Sequence, residues 1–321
     1  VGVQLVLFRF LAINNDLTPS AATPECINLY ELRGGRLHTI STSVTIGRMK
    51  LLNGKELADY IQQRQAQQVR ALRQAWHVQP KLAIVVTVDN PVIDVYMRVK
   101  QRYGTDIMVD VDVHRISQDQ ARETIEQLNG DGSVHGIIVQ LPLERPEETD
   151  AIVNLVAPEK DVDGLGKDAT LDPATPMAIL WLLAGYNIDF AGKKVLLIGR
   201  GKLVGAPLER MLSASNVDVS VADRETKDLK TVTAEADIII TATGSPAILY
   251  PDMIKQGAVV VDAGVASEGG KTVGDVAPDV YDRDDLSITP TKGGVGPLTV
   301  CALFENVIRA ARIRAEAQNN A

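Results

Sequence analysis

Four polar side chains in this sequence have the types and spacing to handle protons around a bound polar ring: Tyr96, Lys100, Gln140 and Asp163. On a helix, Tyr96 and Lys100 share a face one turn apart. Gln140 closes an apolar run just before Pro142, where a side-chain amide can both donate and accept. Asp163, beside the turn glycine Gly164, can clamp the adjacent ring nitrogens of an amidine-like heterocycle in bidentate fashion. A tyrosine packed beside a solvated lysine, and a solvated turn holding Asp161 and Asp163, are the plainer alternatives. His114 and His135 stand alone in sequence and read as structural or surface residues, so no metal site is expected.

A second set has the makings of a phosphate cradle. Residues 195–198 are consecutively apolar, as in a strand buried on both faces, and Gly199-Arg200-Gly201 followed by Gly205 lets backbone N–H groups approach a phosphate. The Gly199, Gly201, Gly205 spacing is one residue longer than the usual dinucleotide fingerprint. The positive end of a helix over 205–214 then faces the phosphate. A second strand over 217–222 ends at Asp223-Arg224, where a mononucleotide-binding unit presents its ribose-reading side chains. Apolar runs at 236–244 and 257–264 carry Thr243, Gly244 and, just beyond, Val265 to the same edge. Arg200 and Arg224 suit a 2′-phosphate and hence NADP, whereas Asp223 suits a free 2′-hydroxyl and hence NAD; two cations against one anion favour NADP, with NAD left open.

These residues need elements to position them. Asn53 with Glu56 resembles a capping box, in which Asn53 takes an orphan N–H and Glu56 returns the bond. The helix that follows has a stripe of Leu57, Ile61, Val69 and Leu72, with its Gln and Arg residues facing water. Residues 82–88 read as a central strand. The Asp89-Asn90-Pro91 turn starts the helix of Tyr96 and Lys100, and strands are expected at 107–113 and 136–143, around a helix over 117–129 with Ala121, Ile125 and Leu128 inward. Thr175-Pro176 caps a helix over 177–184. A short strand at 288–290 leads into the glycine-rich turn 293–296 and a last helix running to about 315. The fold class is α/β: an N-terminal α/β domain and a Rossmann-like parallel-sheet domain.

Composition narrows the functions. The 321 residues suffice for two cores, and 45% hydrophobic with 23% charged residues is ordinary for a globular chain. A net charge of −8 argues against nucleic acid or an anionic membrane as partner. Cys26 and Cys301 are far apart and lack metal spacing, which fits a reducing cytoplasm. Residues 1–48 differ from the rest: 3–13 is apolar but short and interrupted by Arg9, and no signal-peptide layout is present. They read as an extension or a mis-called start, with the functional chain beginning at Met49.

In chain order, Tyr96-x-x-x-Lys100, Val139-Gln140-Leu141-Pro142-Leu143, Lys160-Asp161-Val162-Asp163-Gly164, Gly199-Arg200 through Val204-Gly205-x-Pro207, Thr243-Gly244 and Gly293-Gly294-Val295-Gly296-Pro297-x-Thr299 form a set. It resembles the methylenetetrahydrofolate dehydrogenase/methenyltetrahydrofolate cyclohydrolase family from Met49 to about Arg312. The resemblance implies a folate-binding domain over 49–170, completed by the C-terminal helix 296–315, and a dinucleotide-binding domain over 171–295. It also implies a homodimer, tetrahydrofolate derivatives as substrates and a place in one-carbon metabolism. Lys100 then looks like the central catalytic residue, Tyr96 like a stacking partner for the aminobenzoyl group, Gln140 like a residue that tunes the lysine's hydrogen bonds and Asp163 like the pterin anchor. Val139, Leu141, Gly294, Pro297 and Thr299 fall in the substrate motifs. The sequence departs from the family where Thr87, Ile93, Ala174, Gly201 and Lys292 replace Gly, Ser, Cys, Ser and Pro, which bears on affinity more than on reaction type. A shikimate or amino-acid dehydrogenase, and a binding protein without chemistry, are the competing readings; the first has no obvious use for Gln140 and Asp163, and the second no need to keep all four polar residues.

Overall fold

Short β-branched and aliphatic runs alternate with amphipathic helices along the chain, a pattern that yields parallel sheets with helices as crossovers. The structure is a computed structural model that describes residues 49–268 and 271–319; the expectations for 1–48 lie outside the described residues. In chain order the first part holds β1 (Lys50–Leu51), α1 (Gly54–Trp76), β2 (Lys81–Val86), α2 (Pro91–Ile107), β3 (Asp110–Arg115), α3 (Ala121–Gly130), β4 (Gly136–Val139) and α4 (Thr149–Val153). The second part holds α5 (Ala174–Gly185), β5 (Val195–Ile198), α6 (Gly205–Ala214), β6 (Val219–Ala222), α7 (Leu229–Glu235), β7 (Ile238–Thr241), β8 (Val259–Asp262), β9 (Ala266–Glu268), β10 (Lys271–Val273), β11 (Ser287–Ile288) and α8 (Val295–Asn319).

Two parallel sheets result. One is three-stranded, in the order β3-β2-β4, with Asp161 bridging alongside Ile137 at its edge. The other is six-stranded, in the order β1-β11-β8-β7-β5-β6. Its first strand from the second half, β5, has β6 on one side and β7 on the other, so the winding reverses there and leaves a crevice at the strands' carboxyl ends. Lys50–Leu51, from the start of the described chain, pairs in parallel with β11 at that sheet's edge. α5 is apolar all round and nearly every residue in it is buried; it packs against α1, α6 and α8.

Several local expectations are corrected. Asn53 does cap α1, its side chain accepting from Lys55 N at 3.0 Å, but its backbone N–H goes to the Tyr186 hydroxyl at 2.8 Å and Glu56 meets only the Asn53 side-chain amide. Gln65 does not face water: it is fully buried, between α1, α2 and α8. Ile107 ends α2 instead of starting a strand, because Met108 takes a left-handed cap at φ 64° and its N–H closes on Gly104 and Thr105. Pro176 lies inside the first turn of α5, where a missing N–H breaks no helical bond. The strand expected at 136–143 stops at Val139, although Gln140 N still donates to Val85 O at 2.9 Å.

Candidate active site

α2 and the end of β4 bring Lys100 and Gln140 of the first polar set together. Asn90 caps α2 by accepting from Val92 N at 2.8 Å, and this fixes where the helix begins and which face Lys100 occupies. Lys100 Nζ donates to Gln140 Oε1 at 2.8 Å, while Gln140 Nε2 donates to Leu141 O, also at 2.8 Å. The second bond holds the amide with its carbonyl toward the lysine, so the ammonium meets a neutral acceptor there. Burial lowers the Lys100 pKa, and the nearby Asp163 carboxylate only partly opposes that. Burial raises the Asp163 pKa, with Lys100 opposing and Asp161 reinforcing. Tyr96, one turn before Lys100, remains 44% exposed, and Val92, Val95 and Val99 extend an exposed apolar strip along the same helix.

Within the Lys160–Gly164 motif, the residue types divide into supports and a presented group. Lys160 Nζ is buried and donates to three carbonyls, Leu128, Asn129 and Asp131, at 2.7 to 2.9 Å. Asp161 is buried too, and its two oxygens accept from Gly164 N and Gly166 N at 2.9 and 2.7 Å. This is not a solvated turn: Lys160 and Asp161 are satisfied internally, and Asp163 stands close enough to Lys100 for their charges to interact. From α8, Asn306 Nδ2 donates to Val162 O and Asp172 O, both at 2.9 Å, and so pins the loop from the other side. Sequence reasoning missed Asn306, since an asparagine inside an apolar helix carries no periodic signal, although a buried amide in such a helix must find partners. Gly294, Pro297 and Thr299 lie at the start of α8; no hydrogen bond joins them to Lys100, Gln140 or Asp163.

His135, expected to be a structural or surface residue, is buried; its Nδ1 accepts from Lys81 N at 3.3 Å, and burial pushes its pKa down to about 4. Cys301 is likewise buried and accepts from the Tyr103 hydroxyl at 3.2 Å.

The glycine-lined loop between β5 and α6 forms the second set. Gly199 has φ +99°, a conformation that side chains rarely tolerate. A Cβ on Gly205 would stand 2.0 Å from Gly199 O, so only glycine lets the helix start so close to the loop. Arg200 is ion-paired with Glu209 of α6, and Lys202 with Asp150 of α4. Asp223 and Arg224 stand exposed past the end of β6, Asp223 closing a turn by accepting from Glu225 N at 2.9 Å. Thr243 and Gly244 follow β7, and Val265, 61% exposed, follows β8 on the same edge. Beneath them Asp275 Oδ2 accepts from Thr243 N at 2.7 Å, and Asp262 accepts from Gly264 N, Asp275 N and Val276 N. These two aspartates, which tie the loops after β7 and β8 together, were not singled out from the sequence because each reads locally as an ordinary turn acid.

A glycine-restricted strand–loop–helix at the reversal point of a parallel sheet fits a nucleotide's phosphates. Together with a second α/β lobe holding a half-buried lysine between an amide and a carboxylate, it defines a two-domain nucleotide-dependent enzyme class. The family model of the tetrahydrofolate dehydrogenase/cyclohydrolase catalytic domain matches residues 52–163, and that of the NAD(P)-binding domain matches residues 173–315. The chain belongs to the tetrahydrofolate dehydrogenase/cyclohydrolase family. Bifunctional protein FolD of Exiguobacterium sibiricum is 36% identical over 275 residues, which cover 82% of this chain and 99% of the relative. The crystal structure of the bifunctional FolD enzyme from Campylobacter jejuni matches with a TM-score of 0.77 at 36% identity, over 83% of this chain and 99% of that one. That of the Trypanosoma brucei methylenetetrahydrofolate dehydrogenase-cyclohydrolase, complexed with NADP and inhibitor, matches with a TM-score of 0.78 at 26% identity, over 84% and 99%.

Proposed function

We propose that this chain oxidises 5,10-methylenetetrahydrofolate to the methenyl cation and hydrolyses that cation to 10-formyltetrahydrofolate, with NADP as the preferred dinucleotide. The bound nicotinamide supplies the hydride acceptor for the first reaction. Gly199, Arg200, Gly201, Gly205, Asp223, Arg224, Thr243, Gly244 and Val265 are the residues assigned to hold the dinucleotide. Tyr96 and the valines of α2 give the aminobenzoyl group an apolar platform, and Asp163 accepts from the pterin nitrogens. In this reading 49–170 with the C-terminal helix forms the folate domain, 171–295 the dinucleotide domain, and two copies make a homodimer.

The observation that carries the reading is the Lys100–Gln140 hydrogen bond beside Asp163. Burial favours the neutral amine, and a bound substrate cation adds to that bias. A neutral Lys100 takes the proton from the water that adds to the methenyl carbon. The carbinol hydroxyl then gives up its proton as its C–O bond becomes the formyl carbonyl, N5 leaves with the carbon–N5 electron pair and takes up a proton, and the formyl group stays on N10. Gln140, fixed by Leu141 O, holds the amine in place without adding a charge. Lys100→Met is expected to abolish hydrolysis while folate still binds, measured by loss of the methenyl absorbance and by equilibrium titration. Undiminished hydrolysis would remove Lys100 from this role, and turnover measured with each nucleotide tests the preference for NADP over NAD.

A further inference from the structure

Arg200 and Arg224 are the two arginines that the NADP reading assigns to a phosphate on the adenosine ribose, and the structure treats them differently. Among the described residues Arg224 makes no ion pair. Arg200 Nε donates to Glu209 Oε2 at 2.7 Å and Nη2 to Glu209 Oε1 at 3.1 Å. The Glu209 side chain is 23% exposed against 60% for Arg200, so the carboxylate is seated against α6 and the guanidinium lies outside it. The pair uses the side-on edge of the guanidinium, one of the edges that takes an oxyanion in bidentate fashion, and leaves Nη1 outside it.

This has a directional consequence for the ligand. A phosphate monoester arriving at Arg200 must share or displace Glu209, and the carboxylate repels it in either case. A free 2′-hydroxyl is neutral and needs no such displacement. We propose that Glu209 is a positioning residue that sets this chain's discrimination between 2′-phosphorylated and 2′-unphosphorylated dinucleotides, by occupying Arg200 and damping its attraction for the 2′-phosphate. The proposal rests on the reading that Arg200 faces that phosphate.

The test uses binding alone. The intact protein is titrated calorimetrically with 2′,5′-ADP and, separately, with 5′-AMP, which differ by the phosphate in question. Glu209→Gln is expected to tighten 2′,5′-ADP about two- to five-fold, the scale of one exposed ion pair, and to leave 5′-AMP unchanged. That gain is expected to shrink as salt is raised and to fall away when Arg200→Gln is combined with it. Glu209→Asp, which keeps the charge, is expected to stay near the parent value. If Glu209→Gln leaves 2′,5′-ADP binding unchanged or weakens it while Arg200→Gln alone still costs affinity, the role of Glu209 is overturned and the NADP reading stands. If Arg200→Gln has no effect on 2′,5′-ADP, the premise fails and the proposal with it.

Discussion

His135 shows what burial, reinforced by nearby cations, does to a titratable side chain in this fold. Its pKa falls from 6.5 to about 4, burial being the largest cause and the cations Arg314, Lys160 and Lys81 adding to it. Between those values the unfolded chain binds a proton that the folded chain excludes, so stability falls as pH drops through that window. The loss amounts to about 3 kcal/mol at most once the pH is below the folded value. Replacing His135 with Gln, which does not titrate, is expected to flatten the acid limb of the urea midpoint plotted against pH; an unchanged limb would assign acid sensitivity to other groups. The same scale shows what a sequence can and cannot convey about a site. Tyr96, Lys100, Gln140 and Asp163 stood out because their types and neighbours narrow the chemistry. That Lys160 and Asp161 are internal supports was not legible, since their charges read like that of Asp163 until the loop's carbonyls and N–H groups are in place.

At the scale of elements, the strand–loop–helix of β5 and α6 was readable from its apolar run and glycines, because backbone contact between loop and helix tolerates no side chain there. Gly205→Ala is expected to weaken dinucleotide binding strongly and to lower the melting temperature, since its Cβ would lie 2.0 Å from Gly199 O. Overpacking of this kind costs about 1–3 kcal/mol or more. Gly201→Ala is the control: the nearest atom to its added Cβ is Ala242 O at 4.0 Å, so stability should hold. Equal losses in both would mean that close packing is not what the glycine at 205 provides. The ends of α2 and α5 were less legible, because helix limits depend on caps formed by the backbone itself, as at Met108, or on a proline in a first turn that is equally compatible with two starting points.

At the scale of the whole molecule, what joins the two lobes can be ranked. Lys202 and Asp150 meet across them, but their side chains are 45% and 74% exposed. Such a pair contributes about 1 kcal/mol at most and is screened by salt. Asp150→Asn is therefore expected to shift thermal unfolding slightly in dilute buffer and not at all near 1 M salt; a large shift that survives salt would make this pair a principal tie. α5 and α8 are the stronger connection, apolar and buried along much of their length. α8 also reaches into the first lobe: Gln65 Nε2 donates to Cys301 O and to Glu305 Oε2, both at 2.8 Å, and the Tyr103 and Phe304 rings lie 5.0 Å apart. Pairing of β1 with β11 ties the opposite end of the described chain into the other sheet. The resemblance implied that the C-terminal helix completes the first domain, but periodicity showed neither long-range closure, because it reports which face of an element is apolar and not which partner covers it.

The position of α8 in the chain has a consequence for how the protein is made. On the ribosome, the first lobe emerges well over a hundred residues before the segment that covers Gln65 and Tyr103 and braces the Asp163 loop, so it waits with an unsealed apolar seam. The nascent lobe is thus exposed to aggregation until that segment arrives, and the Asn306 bonds that pin the Asp163 loop form only when the last helix docks.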